Sequence, residues 1–282
     1  MIKWLKVMCH PDGGISFFND SSHKIAISLE EILSYAKRLN IVDNEYQPRN
    51  LTYLKDSGYV RVDIKDLVLI SDIAKIGPDY IPGHGHADAL SFELSIFGRR
   101  VVVNSGTSTY ESNNERQKQR STLSHSTINV DGKDSSEVWG SFRVARRAKI
   151  SNINISLGED IYSFSASHNG FTRFQPGLIH SRKWNVASGK IEIIDNVTGR
   201  DHHIVESILP LHPEVEVGDF DNSSVELKVN GKLIRVNFKG NGSLKVLSSK
   251  YYPQFGMSIA NKRLVYVYNG NLPYKLSTLI QW

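Results

Sequence analysis

Residues 225–238 read VELKVNGKLIRVNF. Apolar and polar positions alternate on either side of Asn230-Gly231, and that dipeptide supplies the two left-handed residues of a tight hairpin turn. Residues 225–229 and 233–238 are therefore predicted as a pair of antiparallel strands. The same period of two recurs outward along the chain. Tyr59, Arg61 and Asp63 alternate with Val60, Val62 and Ile64, while Leu90, Phe92, Leu94 and Ile96 face away from Ser91, Glu93 and Ser95. Short strands are also expected at 101–103, 127–130, 148–155, 161–166, 190–194, 244–247 and 264–268. Ser188-Gly189 and Gly240-Asn241-Gly242 mark turns between them. So many short strands without intervening helices argue for a mainly β protein, a large two-sheet antiparallel β-sandwich. A single helix is expected. Ser28 and Glu31 form a capping-box pattern, Leu29, Ile32, Leu33, Ala36 and Leu39 follow at helical spacing, and Asn40 is a stop. The turn-rich segment 10–20 before it reads as a loop. A short N-terminal helical stub is thus expected ahead of the sandwich.

Composition narrows the function classes. The 282 residues are 40% hydrophobic and 22% charged, which excludes a disordered or collagen-like chain. No apolar run approaches the roughly 18 residues that span a bilayer, so no membrane span is expected. A lone cysteine, Cys9, excludes an intrachain disulfide and a cysteine-based zinc site. The 34 Lys+Arg against 29 Asp+Glu leave a net charge of +5, which suits an acidic partner. Trp139, Arg143, Arg146 and Arg147 mimic a nucleic-acid patch, but no nucleic-acid motif accompanies them, and a strand with one wet face is the better reading. At the N-terminus Lys6 interrupts the apolar residues and no small-residue cleavage site follows, so no secretory signal is read there.

Chemistry concentrates between residues 83 and 147. His84 and His86, separated by Gly85, would point the same way on an extended chain and could jointly capture a metal or a charged ligand. Downstream lie Asn104, Tyr110, Arg116, Arg120 and His125, with the two arginines in a polar segment read as a loop. A guanidinium at Arg120 could pair two oxygens of a carboxylate or sulfate, and Arg116 reads equally as that or as solvated charge. Tyr110 could offer a sugar its hydroxyl or ring face, or be structural.

Taken in order, GHGHADALSFEL (83–94), VVVNSGTSTY (101–110), RQKQRSTLSHSTINVDGKDSSEVWGSFRVARRA (116–148), HSRKWNV (180–186) and IIDNVTG (193–199) resemble the C-terminal β-sandwich of heparinase II/III-like polysaccharide lyases. DSGYVRV (56–62) and HPDGGISFFNDS (10–21) fit the same layout. The resemblance implies an α/α-toroid before the sandwich, an active site between the two, and β-elimination at uronic acid residues of acidic polysaccharides. Residues 1–45 would be a remnant of that toroid, the rest supplied by a separate domain or chain. His84 would be the catalytic histidine facing substrate. His86, Asn104 and His125 would hold a structural zinc, with Asn104 standing where the family usually has Asp and Asp88 a candidate supporting carboxylate. Tyr110, Arg116 and Arg120 would face the saccharide. The family works in the periplasm or cell envelope. The alternatives are a non-catalytic carbohydrate-binding or partner-docking sandwich, and a metal-binding sandwich unrelated to glycans.

Overall fold

A computed structural model of the chain describes residues 1–41 and 50–282. The expected boundary at 45/46 lies outside the described residues. The larger sheet has eight strands, which run from edge to edge as Glu216–Phe220, Ser224–Val229, Lys232–Lys239, Tyr274–Gln281, Lys190–Thr198, Ile179–Ala187, Tyr162–His168 and Ile150–Leu157. Asn230 and Gly231 take φ of +50° and +73° at one of its tight hairpins, where Val229 sits opposite Lys232.

Two further sheets complete the sandwich. One has five strands in chain order, Leu51–Leu54, Tyr59–Ile64, Leu67–Asp72, Phe92–Ile96 and Arg99–Val102; the other orders Ser243–Tyr251, Ile259–Asn271, His202–Pro210 and Ile128–Val130. An antiparallel bridge between Val102 and Leu211 joins them, with Val103 N–H donating to Pro210 O at 2.9 Å and His212 N–H to Val101 O at 3.0 Å. One apolar cluster draws on all three sheets, including Val62, Leu69 and Leu94 from one, Leu209 and Leu264 from another, and Phe164, Trp184, Ile193 and Val236 from the largest. Burying each such side chain contributes about 1.5–3 kcal/mol, so this shared core is the main force joining the layers.

The helix Leu29–Arg38 forms with the anticipated cap: Glu31 N–H donates to Ser28 Oγ at 3.2 Å and Ser28 N–H to Glu31 Oε2 at 3.0 Å. A second helix, Ile2–Val7, was not anticipated. The chain between them is stitched into the sandwich. Phe17 and Phe18 are buried, Arg61 donates to Val7 O at 3.1 Å and Cys9 O at 2.6 Å, and His10 lies between Glu93 (2.9 Å) and Ser95 (2.8 Å). Both faces of strand Phe92–Ile96 are therefore buried, one against the core and the other against this N-terminal segment. Among the described residues no helix is long and apolar enough to cross a membrane.

Candidate functional site

The site forms where the loop ending at Asp20 meets the turn carrying His84. Asp20 N–H donates to His84 O at 3.2 Å, His86 N–H to Asn19 Oδ1 at 3.3 Å, and Asn19 N–H to Asp88 Oδ2 at 3.2 Å. The His-x-His pair sits on a turn closed by Gly85 N–H to Pro82 O at 2.9 Å, not on the extended strand that its spacing suggested. The two rings converge all the same, because both reach one carboxylate.

Asp20 is that carboxylate. Oδ2 faces His84 Nδ1 at 2.9 Å and Arg116 Nη2 at 2.7 Å; Oδ1 faces His86 Nε2 at 2.8 Å and is bonded also by Arg116 Nη1. Burial pushes its carboxyl up, but hydrogen bonds from His86 and Arg116 outweigh that and hold it well below the ordinary carboxylate range. An ionised carboxylate only accepts, so the facing nitrogens carry the protons: Nδ1 of His84 and Nε2 of His86. On a neutral ring the other nitrogen, His84 Nε2 or His86 Nδ1, is then the acceptor. The His84 side chain is 64% exposed and that of His86 only 1%, so one free lone pair faces solvent and the other faces the interior.

Inside, the His86 and His125 rings lie 5.3 Å apart between centroids. His86 Nδ1 and Asn104 Nδ2 are buried without a hydrogen-bond partner, and the two buried His125 nitrogens have none of good geometry, the Gln119 backbone carbonyl being the one group that approaches them. Asn104 follows strand Arg99–Val102, its backbone N–H donates to Glu93 Oε1 at 2.8 Å, and its side-chain oxygen meets Ser126 N–H at 3.4 Å, one residue past His125. Burial lowers the pKa of His86 against the opposing bond to Asp20, and burial together with the nearby His86 lowers that of His125 well below its usual value. Orphaned nitrogens on neutral rings are costly unless something binds them, and they are the donor type that zinc takes. Among the described residues no group of three or more His, Cys, Asp and Glu could hold a metal, because the third donor here is an amide. Asp88 does not support these ligands: it is fully buried, bonded to Asn19 N–H, and pushed up to about 7 by burial. Asp20, which the sequence reading passed over, takes that place; its only mark was membership of the HPDGGISFFNDS segment.

Arg116 and Arg120 lie on a helix, Asn114–Arg120, capped by Asn113, where the sequence suggested a loop. Both are fully buried. Beyond Asp20, Arg116 Nε and Nη2 donate to Ser141 O at 3.0 and 2.8 Å. Arg120 donates to Gly85 O at 2.9 Å, Gly83 O at 3.3 Å, Gly140 O at 3.2 Å and Trp139 O at 3.3 Å; burial and the neighbouring Arg116 lower its pKa to about 10. Tyr110 is half-buried, with its ring 5.9 Å from His84 and the Arg116 guanidinium 5.1 Å from its centroid. From the opposite sheet, Arg182 reaches the site's backbone, donating to Leu90 O at 2.8 Å and Ser126 O at 2.6 Å, while Asp195 holds it at 2.7 and 3.0 Å and accepts from His180 at 2.6 Å.

A family model for heparinase II/III-like C-terminal domains matches residues 46–282. The chain belongs to the heparinase II/III-like C-terminal family. Solved structures agree on the fold: a heparinase III gene product (TM-score 0.81, 14% identity, 100% of this chain), a heparan sulfate lyase HepC mutant from Pedobacter heparinus (0.80, 16%, 100%) and another heparinase III (0.78, 16%, 99%). The chain spans 45%, 46% and 47% of those proteins, respectively. No curated protein matches it.

Proposed function

We propose that this chain is the sandwich half of a polysaccharide lyase that cleaves acidic polysaccharides by β-elimination at uronic acid residues, with an α/α-toroid domain or chain completing the site. The observation that carries this reading is His84, exposed on a turn and held through Nδ1 by a buried carboxylate, so that its Nε2 faces outward. In the reaction a base takes the C5 proton, that electron pair becomes the C4=C5 double bond, and the glycosidic oxygen leaves C4 with a proton. The C5 proton is weakly acidic until the uronate charge is offset, so a donor beside the carboxylate lowers the barrier. His84 is the residue of this chain placed to receive that proton or, protonated, to face that carboxylate. Arg116 and Arg120 serve by fixing the turn around His84 rather than by holding the sugar, since their donors are spent on Asp20 and on backbone carbonyls.

We assign a zinc ion to His86, Asn104 and His125, a reading supported by the unsatisfied ring nitrogens of the two histidines, with the Asn104 amide oxygen as the third donor. When bound, it would cross-link the turn 84–86, the end of strand Arg99–Val102 and the segment 125–127. The exposed Ile25, Ile27, Tyr35 and Leu39 are where we place contact with the toroid.

The test is to incubate the chain with heparan sulfate and other uronate-containing glycans, alone and with a toroid-bearing partner. Formation of 4,5-unsaturated ends that absorb in the near ultraviolet is expected, and His84→Ala should abolish it. Failure to generate that product from every uronate glycan would count against the proposed activity.

A further inference from the structure

Two fully buried guanidiniums are spent on one surface hairpin. Val138–Trp139 pairs with Arg143–Val144, a ribbon of two residues per strand that would be marginal by itself. Arg120 holds its turn through the carbonyls of Trp139 and Gly140, and Arg116 through that of Ser141. The same Arg120 holds Gly83 and Gly85 on either side of His84, so hairpin and histidine turn are clamped as one body. Gly83 lies so close to the hairpin that an added Cβ would sit 3.2 Å from Phe142 O.

What this clamp presents is an aromatic ring. Phe142 is 43% exposed and lies 5.4 Å from His84 and 5.1 Å from Tyr110. Phe255, 39% exposed, extends the shelf at 4.8 Å from Tyr110, with its segment tied down by Gly256 N–H to Ser108 O at 2.9 Å. The Arg116 guanidinium, 5.1 Å from the Tyr110 centroid and 5.6 Å from that of Phe142, fixes both rings from within. Aromatic rings left exposed beside a polar imidazole, each packed against a neighbouring ring, match what a pyranose offers: an apolar C–H face with hydroxyls and a carboxylate around its edge.

We propose that Phe142, with Tyr110 and Phe255, forms a stacking subsite for a pyranose ring of an acidic saccharide, which seats the sugar against His84. This rests on the lyase reading for the acidity of the sugar but not for the stacking. Calorimetry of the 282-residue chain would use a heparin-derived hexasaccharide and a neutral maltohexaose as probes, with wild type, Phe142→Ala and Phe142→Trp. Phe142→Ala should weaken the heparin hexasaccharide about tenfold while Phe142→Trp binds within about threefold of wild type. Unfolding of Phe142→Ala should match wild type, since the ring is half in solvent. Equal binding by Phe142→Ala and wild type overturns the subsite and leaves the lyase reading standing. Binding of maltohexaose alone, lost in Phe142→Ala, upholds the shelf and overturns the acidic substrate. No binding of either probe overturns the subsite.

Discussion

Asp20 determines the electrical state of the site. Two imidazoles and a guanidinium converge on one buried carboxylate, and its acceptor-only character directs the free lone pair of His84 outward and that of His86 inward. Removing a partner from a buried ion pair leaves an uncompensated charge, which costs about 3–5 kcal/mol. Asp20→Ala should therefore lower the free energy of unfolding by that amount in denaturant titrations. Asp20→Asn keeps the shape but loses the charge that orients His86. If zinc occupies the proposed site, its affinity should drop about 10- to 100-fold by competition with a chelating dye. Unchanged affinity would separate Asp20 from the metal. Nothing in the spacing of Asp20 pointed to this role. It lies 64 residues before His84, and only the packing of segment 8–23 onto the five-stranded sheet brings them together.

Single elements were legible in proportion to how locally they are determined. The Asn230-Gly231 hairpin and the Ser28 cap depend on residues within a few positions, and both form as read. Strand Leu67–Asp72 is buried at every position and apolar at each residue from Leu67 to Ile70, so it shows no alternation to detect. Helix Asn114–Arg120 was hidden because its buried side chains, Arg116, Gln119 and Arg120, are polar, which reverses the usual apolar stripe. Charge inside the sandwich was equally invisible. His180 and Arg182 alternate inward with Trp184 and Val186 and face Asp195 across the strand pair. Burial pushes Asp195 up, yet the Arg182 charge and the His180 bond hold it at about 2. Since Arg182 also carries the carbonyls of Leu90 and Ser126, it couples the far sheet to the site. Arg182→Met should cost about 3–5 kcal/mol by leaving the buried Asp195 charge with His180 as its one remaining partner, whereas Arg182→Met combined with Asp195→Leu should cost less than the single change. Thermal unfolding of both variants checks this; a double variant worse than the single would contradict it.

At the scale of the molecule, buried titratable groups set the response to pH. Seven of the ten histidines (His10, His23, His86, His125, His168, His180 and His212) have pKa values lowered by burial from the ordinary 6.5. Unfolding lets them take up protons that the fold refuses, so their contribution is complete above pH 6.5 and is lost as pH falls below it. Asp72, Asp88 and Asp134, raised by burial, act oppositely, with stability falling as pH rises above their ordinary 3.8. Seven groups outnumber three, so the unfolding temperature should drop by several degrees, at roughly 2–4 °C per kcal/mol, between pH 7.5 and 5. A rise over that interval would show that the buried carboxyls dominate. The two-layer architecture itself was legible, because period-two alternation persists through most of the chain; the join between the five- and four-stranded sheets, one bridge between Val102 and Leu211, left no local mark.

The central claim is that His84 meets an acidic sugar from the sandwich side, and side-chain NMR of the histidines during titration with a uronate-containing hexasaccharide tests it most directly. The account predicts that the His84 ring signals shift progressively while those of buried His168 and His180 stay fixed. Static His84 signals in the presence of bound saccharide would contradict it.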